Sequence, residues 1–443
     1  MNSAKTKIRS RLAAVFLLFL LSFSLTACDV DTIPEMIAGN IIRSILERDY
    51  DLIYNDGYDS DEIPDYTQPS WESPELPTDP FESVAEEGSS STEESSSEEA
   101  SEEAPEEEDD EAEVSDDKAY YFSTLENSEK KIYMEIYNSI FNMEESTPVS
   151  TMDPDEVDRI FNLCMMDHPE LFFCDGYRAT LKKQGEETLG IDFSGKYNST
   201  GDERNEKAKK INAEAEEILS RVPDDDSDYE KVKFIYEWII DNTEYNENST
   251  DNQNISSVFI NHSSVCQGYT MATKFLLDKM GIFCTVVYGT AADENHAWNL
   301  VKMDGTYCFV DTTWGDSSYN SAENAELTRT SYNYFGCNSD ILKRTHIISE
   351  RGELPDCSSL DEYYYVKESK YFTEMDENRL KAVFDHEKEI GSHNFTIRAS
   401  SEEVYDELFD TLFTRQKIFD LIPEAEKVTY IEDRSELTLT FNI

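Results

Sequence analysis

The pattern of apolar and polar residues in the middle of the chain predicts a helix followed by a strand. Apolar residues recur at helical spacing as far as Gly281, a residue type that commonly ends a helix, and Ser263 or Ser264 is a suitable N-cap. The next run, IFCTVVYG, is short, apolar and rich in β-branched residues, so it predicts a buried strand. This spacing places Cys266 in the first turn of the helix.

A cysteine at a helix start has a distinctive chemistry. Unpaired backbone N–H groups and the positive end of the helix dipole favour an anion there, and therefore the thiolate form of the side chain. Cys266 is for this reason a candidate nucleophile. Taken alone, a cysteine in an apolar helix is more often a small core residue, so the prediction depends on a base and an orienting group nearby.

Two runs of alternating polarity follow the strand, and together they predict a hairpin. They are separated by Asp304 and Gly305, a dipeptide typical of two-residue turns. We expect Met303 to pair with Thr306 across this turn. That register decides which side chains of the two strands share a face, and only a slip by one residue would change it.

The predicted register puts a histidine and a carboxylate on one face. His296 and Asp311 lie diagonally across the hairpin, with Cβ atoms roughly 7 Å apart or less, which is within reach of a hydrogen bond. Asp311 can then orient His296, and the other nitrogen of His296 can face Cys266. This is the arrangement of nucleophile, base and orienting group used in thiol acyl transfer.

The stretch resembles the transglutaminase-like superfamily, whose core shares its Cys-His-Asp arrangement with papain-like cysteine proteinases. V-C-Q-G-Y, H-A-W-N and V-D-T-T-W are similar to the bacterial secreted branch of lipoproteins. The resemblance implies that Cys266 is the nucleophile, His296 the base and Asp311 the orienting carboxylate. Many members have a glycine near the position of Ser264, and this difference concerns only the tightness of the turn.

Four other residues are candidates for the oxyanion site or the acyl pocket. Gln267 and Tyr245 could donate to an oxyanion, although the backbone N–H of Cys266 is better placed at a helix start. Trp314 could flank the acyl group or fill the core. His262, four residues before the nucleophile, is a further candidate for the pocket.

The remaining cysteines and histidines carry no catalytic prediction. Alternation predicts that Cys308 belongs to the core, and the mid-strand position of Cys284 predicts the same for that residue. Trp298 could flank the acyl pocket or fill the core, and the core is favoured. In an exported protein two pairs could form disulfides, and spacing leaves the pairing open: Cys164 with Cys174, and Cys337 with Cys357. The scattered histidines are predicted to be surface or structural residues: His168, His346, His386 and His393. No spacing is typical of zinc, and thiol acyl transfer needs no cofactor, so neither a metal nor a cofactor is predicted.

The first 28 residues are typical of a lipoprotein leader. Four basic residues precede an apolar stretch, residues 12–25, which is too short for a convincing membrane span. Leu25-Thr26-Ala27-Cys28 resembles the lipobox, in which the cysteine becomes the lipidated N-terminus. The sequence therefore predicts an exported protein held by Cys28 at the outer face of a bacterial membrane. An uncleaved anchor or ordinary secretion is the alternative.

Residues 29–118 are strongly acidic. They contain 32 acidic and 3 basic residues, a net charge of −29 out of −57 for the whole chain. Beyond Asn55 they have almost no core-forming residues and cannot offset the entropy of folding, which predicts a disordered tether. A short amphipathic helix within residues 33–45 could precede it. The acidic charge disfavours nucleic acid and anionic lipid as partners.

Periodicity in the rest of the chain predicts an α+β protein, in which the nucleophile helix packs against an antiparallel sheet. Three regions follow the tether: a helical N-terminal region (119–200), a transglutaminase-like catalytic domain (201–346) and a C-terminal α/β module (347–443). The predicted helices lie near 127–143, 154–166, 202–221, 228–242 and 402–413, and the predicted strands outside the catalytic stretch near 177–181, 188–193, 394–399, 427–432 and 436–442. The C-terminal module could bind a substrate or partner, or be purely structural.

These observations predict an exported thiol acyl-transfer enzyme that acts on amide bonds of surface proteins or wall peptides. It would be a transglutaminase if an amine accepts the acyl group, and a protease or amidase if water does. The alternative is a non-catalytic surface binding protein that keeps the fold. A papain-type protease proper is less favoured, because only 30 residues separate the cysteine from the histidine. The sequence leaves the acceptor and the oligomeric state open.

Overall fold

The computed structural model describes residues 118–317, 330–349, 353–392, 394–423 and 428–442, together with the backbone of residues 50–55. All of them fall within one compact unit, Arg48–Ile443. The predicted leader with Cys28, the predicted helix within residues 33–45, the rest of the acidic segment to residue 117, and His393 lie outside the described residues.

The first part of the described chain combines helices with a four-stranded sheet. Its helices are α1 (Tyr120–Thr124), α2 (Asn127–Phe141) and α3 (Pro154–Asp167), and its strands are β1 (Tyr50–Asn55), β2 (Thr147–Val149), β3 (Cys174–Gln184) and β4 (Glu187–Tyr197). The strands lie in the order β1-β3-β4-β2. The two helices predicted near 127–143 and 154–166 and the two strands predicted near 177–181 and 188–193 are confirmed.

Strand β1 lies in the acidic stretch just before the segment beyond Asn55 that is predicted to be a disordered tether. Its six residues pair in parallel with β3, from Tyr50 opposite Tyr177 to Asn55 opposite Lys182. The segment YDLIYN contains apolar and aromatic residues inside an otherwise acidic stretch. Such residues favour a strand at a sheet edge, whereas the charge-rich sequence that follows does not.

The central part contains the predicted catalytic stretch. Its elements, in chain order, are α4 (Gly201–Leu219), α5 (Asp228–Asn242), β5 (Glu244–Tyr245), α6 (Ile255–Phe259), β6 (Ser263–Ser264), α7 (Cys266–Lys279), β7 (Cys284–Ala291), β8 (Glu294–Met303), β9 (Thr306–Val310), α8 (Thr312–Gly315), β10 (Phe335–Cys337), α9 (Ser339–Leu342) and β11 (His346–Ile348). Five strands form a sheet in the order β10-β9-β8-β7-β11, and β5 pairs separately with β6.

Capping side chains explain where the two scaffold helices of this part begin. Thr200 and Glu203 form a capping box at the start of α4, and Ser227 and Glu230 form another at the start of α5. Each box satisfies two backbone N–H groups that the helix itself leaves unpaired. These signals lie within four residues in sequence, which is why both helices were predictable.

The start of α7 differs from the prediction. Neither Ser263 nor Ser264 is the N-cap, because both belong to the short strand β6, and Val265 takes the cap position without a side-chain hydrogen bond. The hydroxyl of Ser264 is instead 2.6 Å from that of Ser257 and 3.0 Å from the carbonyl oxygen of Asn252. The predicted stop is confirmed, with Gly281 at φ +70° after the C-cap.

The hairpin has the predicted register but a shorter second strand. Met303 pairs with Thr306, and Asn299 pairs with Val310. Strand β9 ends there, so Asp311 lies at a strand-to-helix junction and not inside a strand as expected. Its side chain accepts a hydrogen bond from the backbone N–H of Trp314, which makes it the N-cap of α8.

The C-terminal part has a core of its own. Its elements are α10 (Tyr364–Lys367), β12 (Tyr371–Phe372), α11 (Glu377–Glu389), β13 (Asn394–Ala399), α12 (Glu402–Phe409), α13 (Ile418–Leu421), β14 (Thr429–Asp433) and β15 (Thr438–Asn442), with the strands in the order β12-β13-β15-β14. The predicted strands are present, while α11, β12 and α13 were not predicted.

The division between the two cores falls later than the predicted boundary at residue 347. Cys357 and Tyr363 belong to the first core, whereas the second core begins at Phe372. We use "C-terminal module" below for residues 371–443. Within the described residues, no helix has both the length and the apolar composition to cross a membrane.

The described cysteines are all free thiols, and neither pair considered above forms a disulfide in this structure. Cys284 and Cys308 are fully buried, as predicted, and so is Trp298. Burial raises the pKa of the Cys284 and Cys308 thiols well above its ordinary value. Their burial makes these two cysteines core residues. Because a buried thiol stays neutral, neither is expected to be reactive.

Candidate active site

Cys266 is the first residue of α7, and among the described cysteines it is the one that is not buried. No side chain caps this helix start. The backbone N–H groups of the first turn are therefore available to a ligand, which is what an oxyanion site requires. Partial exposure combined with this position distinguishes Cys266 from the other thiols of the described chain.

Hydrogen bonds fix α7 against the two elements that carry the predicted base and carboxylate. The hydroxyl of Thr270 donates to the carbonyl of Ala297 at 2.9 Å, and the amide of Asn299 donates to the carbonyl of Thr270 at 3.1 Å. The hydroxyls of Thr273 and Thr312 lie 3.0 Å apart. Because each of these residues is buried, the cross-links hold the three elements in a defined arrangement.

His296 joins the other two predicted residues. Its Nε2 lies 2.7 Å from Oδ2 of Asp311, and both side chains are buried. The Cys266 thiol also interacts with this imidazole and favours its protonated form, and Nδ1 is the ring nitrogen that does not face Asp311. Burial disfavours the charged ring, but the Asp311 carboxylate and the thiol outweigh it and raise the pKa of His296 to about 10.

Both oxygens of Asp311 have partners. Oδ1 accepts from the N–H of Trp314 at 2.9 Å, while Oδ2 accepts from His296. The backbone N–H of Asp311 donates to the carbonyl of Tyr334 at 3.0 Å. Burial alone would raise the pKa of this carboxyl, but the two neighbouring imidazoles hold it well below its usual range. The carboxylate is therefore charged and fixed in orientation.

A second histidine shares the same carboxylate oxygen. Nε2 of His346 lies 3.0 Å from Oδ2 of Asp311, and His346 is fully buried. Of the two roles predicted for His346, surface or structural, the surface role is excluded by its burial. It reaches the site on β11, where it pairs with Ala291 of β7. A three-residue strand that follows an irregular connection has no recognisable local pattern. The sequence therefore gave no signal that His346 belongs to the site.

Glycine allows β11 to approach this closely. A Cβ on Gly289 of β7 would lie 1.9 Å from the carbonyl oxygen of Ile347 and 2.7 Å from the ring of Trp298. Neither the neighbouring backbone nor the buried indole can move away cheaply. Gly289 is thus a requirement for the position of His346.

Comparison with known proteins assigns this region. Residues 216–312 match the family model of the transglutaminase-like superfamily. The matched interval contains Cys266, His296 and Asp311. The chain carries a transglutaminase-like domain. The family resemblance and the α+β fold class predicted from the sequence are thereby confirmed.

Solved structures that are similar to part of this chain include one transglutaminase and two candidate proteases. The transglutaminase ("TGase") is 16% identical with a TM-score of 0.22, and the match covers 32% of this chain and 44% of that one. A candidate cysteine protease from Cytophaga hutchinsonii is 17% identical (TM-score 0.21; 28% and 51% covered), and a candidate protease from Parabacteroides distasonis is 11% identical (TM-score 0.19; 30% and 39% covered). The chain spans about half the length of these proteins or less. A search of curated proteins gave no match.

Two tryptophans surround the imidazoles of the transglutaminase-like domain. The ring centroid of Trp298 lies 5.8 Å from that of His296 and 5.0 Å from that of His346, inside the core. Trp314 is half-buried, with centroid distances of 6.1 Å and 4.8 Å to the same two rings. Trp314 therefore both packs beside the imidazoles and reaches the surface, as a residue that flanks an acyl pocket would.

The other candidate pocket residues occupy different environments. Gln267 is buried, and its Nε2 has no hydrogen-bond partner among the described residues. Tyr245 is half-buried on β5, opposite Ser264. His262 is exposed, and its left-handed backbone (φ +52°) accepts a hydrogen bond from the N–H of Glu244 at 2.9 Å. The roles of these three residues stay predictions. The unpaired Nε2 donor of Gln267 supports its predicted role at the oxyanion site.

The described residues contain one group that offers three metal-ligand atoms within 4.8 Å of one another: His296, Asp311 and His346. Both imidazoles direct Nε2 at the same carboxylate oxygen. Hydrogen bonds thus already satisfy the atoms that would coordinate an ion. The geometry is that of a proton-sharing cluster around one carboxylate.

Proposed function

We propose that the transglutaminase-like domain is a cysteine acyl-transfer enzyme that acts on amide bonds. The observation that carries the proposal is the connected set of contacts from the helix-start thiol of Cys266, through the imidazole of His296, to Oδ2 of Asp311. A nucleophile, a base in contact with it and a carboxylate that orients the base are the parts this chemistry needs.

The proposed reaction begins when the Cys266 thiolate attacks the amide carbonyl carbon. A C–S bond forms, and the resulting oxyanion accepts hydrogen bonds from backbone N–H groups at the start of α7. The imidazolium of His296 then gives its proton to the leaving nitrogen, and the C–N bond breaks. Because the pKa of His296 is about 10, this proton is present at neutral pH.

The thioester is released in a second step. His296, now neutral, accepts a proton from water or a primary amine while that acceptor attacks the acyl carbon, and the Cys266 thiolate departs. Water as acceptor makes the protein an amidase or protease, and an amine makes it a transglutaminase. To distinguish these two activities, a glutamine-bearing peptide is incubated with a primary amine and the products are identified by mass spectrometry. The free acid and the substituted amide differ in mass.

We further propose that lipid on Cys28 holds this enzyme outside the cell, where it acts on surface proteins or wall peptides. The leader-like first 28 residues and the acidic segment that follows support this location. A fatty-acid analogue should label the wild-type protein but not Cys28→Ser in the bacterial host. Equal labelling of the two would contradict the anchor while leaving the chemistry at Cys266 untouched.

Native alkylation tests the proposed nucleophile. We expect iodoacetamide to modify Cys266 faster than any other described cysteine, because it alone among them is not buried and it contacts an imidazolium. Peptide mapping at early times measures each cysteine separately, so Cys28 does not interfere. Cys266→Ala should remove the fast phase.

The control is Cys308→Ala, which removes a buried thiol on β9, in the hairpin that carries His296. It should keep the fast phase at the wild-type rate. A fast phase of equal size in wild type and Cys266→Ala would contradict a special thiol at this position and leave a binding protein as the better account.

A further inference from the structure

A continuous path of hydrogen bonds leads from the candidate active site into the C-terminal module. Nδ1 of His346 lies 2.8 Å from the hydroxyl of Thr345, and that hydroxyl lies 2.6 Å from the hydroxyl of Tyr334. Tyr334 in turn donates a short hydrogen bond to Oε1 of Glu436. Together with the bond from His346 to Asp311, the path has four links.

The far end of the path is a buried ion pair inside the C-terminal module. Glu436 precedes β15, and its Oε2 lies 3.2 Å from a guanidinium nitrogen of Arg398 on β13. Both side chains are almost fully buried. A buried carboxylate is retained in its charged form when a cation and a hydrogen-bond donor face it. Arg398 and the hydroxyl of Tyr334 supply both.

An ionised Glu436 sets the direction of every bond on the path. A carboxylate only accepts, so the single hydroxyl hydrogen of Tyr334 points to it, and the oxygen of Tyr334 must accept from Thr345. The hydroxyl hydrogen of Thr345 is then used, and its oxygen must accept from Nδ1 of His346. His346 therefore donates from both ring nitrogens, from Nδ1 to Thr345 and from Nε2 to Asp311.

A second contact, next to Glu436 in the chain, also joins the C-terminal module to the central part. The guanidinium of Arg344 donates to the carbonyl oxygen of Ser435 at 2.5 and 3.2 Å. Arg344 and Ser435 are the immediate neighbours of Thr345 and Glu436 in the chain. Arg344 thus contacts Ser435 directly, while Thr345 is connected to Glu436 through the hydroxyl of Tyr334. Both connections end on adjacent residues of the module, which restricts how these two residues can move.

We propose that His346 is a positioning residue for Asp311, and that the C-terminal module sets its orientation through Glu436, Tyr334 and Thr345. This inference rests on the proposed acyl-transfer function. The module then completes the active site from a distance without touching substrate. Two N–H donors on one oxygen keep the plane of the carboxylate fixed, and this plane decides where the imidazole of His296 points.

Tyr334→Phe tests the path by removing one oxygen. The ring contacts of Tyr334 with His346 and Trp314, at centroid distances of 4.7 and 5.4 Å, remain available to phenylalanine. We expect Cys266 to be alkylated about 5-fold more slowly at pH 6, the factor that corresponds to one net hydrogen bond. In spectra of ¹⁵N-histidine protein, the buried N–H signals of His346 and His296 should both shift.

The matched control is Tyr365→Phe. Tyr365 is also buried, and its hydroxyl donates to Oδ1 of Asn333 at 2.8 Å, outside the path. It should cost similar stability but leave the alkylation rate and both histidine signals unchanged. A purely structural role of the path would give the two variants the same phenotype.

Thr345→Val provides an independent break, since it removes a hydroxyl at a half-buried position and keeps the shape of the side chain. It should reproduce both effects of Tyr334→Phe even if that variant folds poorly. The inference is overturned if Thr345→Val leaves the signals of both histidines in place. If instead the signals shift but Cys266 shows no fast alkylation in the wild-type protein, the path stands and the proposed function fails.

Discussion

Replacement of Asp311 by asparagine is expected to lower turnover about 10⁴-fold while the protein stays folded. Oδ2 of Asp311 accepts from His296 and lies in hydrogen-bond range of His346, and Oδ1 accepts from the N–H of Trp314. An amide has one oxygen and one NH₂ group. Whichever way it is turned, its NH₂ group faces a donor, either the imidazoles or the backbone of Trp314.

The conflict has a chemical consequence beyond lost binding. Without an acceptor on both sides, the imidazole of His296 turns or changes tautomer, and Nδ1 no longer serves the Cys266 thiol. The charge that raises the pKa of His296 is also lost. Turnover of the glutamine peptide and thermal unfolding should be measured on the same preparation, because only a folded inactive variant supports the proposal.

Asp316→Asn is the control for this substitution. Asp316 is a buried carboxylate five residues further on, and the hydroxyl of Tyr269 lies 3.0 Å from its Oδ2. An amide oxygen can accept from that hydroxyl, so we expect turnover near that of the wild type. Similar losses in the two variants would show that any buried carboxylate here is needed for folding and would argue against a special role of Asp311.

Replacement of Lys274 by methionine is expected to lower the free energy of unfolding by about 3 to 5 kcal/mol, the usual cost of breaking a buried ion pair. Lys274 lies on α7, the helix that begins at Cys266, and is fully buried. Its ammonium donates to Asp278 at 2.9 Å and to the carbonyls of Lys118 and Cys284 at 2.8 and 3.0 Å. Methionine fills the volume but leaves all three acceptors unpaired.

The loss should depend on pH, with a sign that follows from Asp278. Burial raises the pKa of this carboxyl to about 6 although the Lys274 ammonium opposes the shift, so without the ammonium the pKa rises further. A carboxyl whose pKa is raised in the folded state stabilises the protein when protonated and loses that contribution as pH rises. The stability deficit of Lys274→Met should therefore be smaller at pH 5 than at pH 8, as measured by urea unfolding.

Lys381→Met is the matched control, because Lys381 pairs with Asp385 at the same spacing of four residues but at the surface. Its Nζ lies 2.7 Å from the carboxylate, with both side chains more than half exposed. We expect a change below about 1 kcal/mol and little dependence on pH. A loss for Lys274→Met as small as this would show that its three acceptors find water in the variant.

Local patterns explain why the candidate triad was predictable. Cys266 follows from a helix start, and His296 and Asp311 follow from one tight turn whose register, with Met303 opposite Thr306, was as expected. Side-chain direction repeats regularly within a helix and within a hairpin, so spacing alone shows which residues share a face. The N-cap was misassigned, because Ser264 pairs with Tyr245 in a distant short strand.

The sequence by itself determined helix α7, the hairpin and the three candidate site residues that these elements carry. Only the tertiary structure placed His346 on Asp311. It also joined Glu436, which lies 125 positions after Asp311 in the chain, to the same network. The reason is physical: a contact between elements joined by long irregular connections depends on how complete layers pack, and no short period in the sequence records that packing.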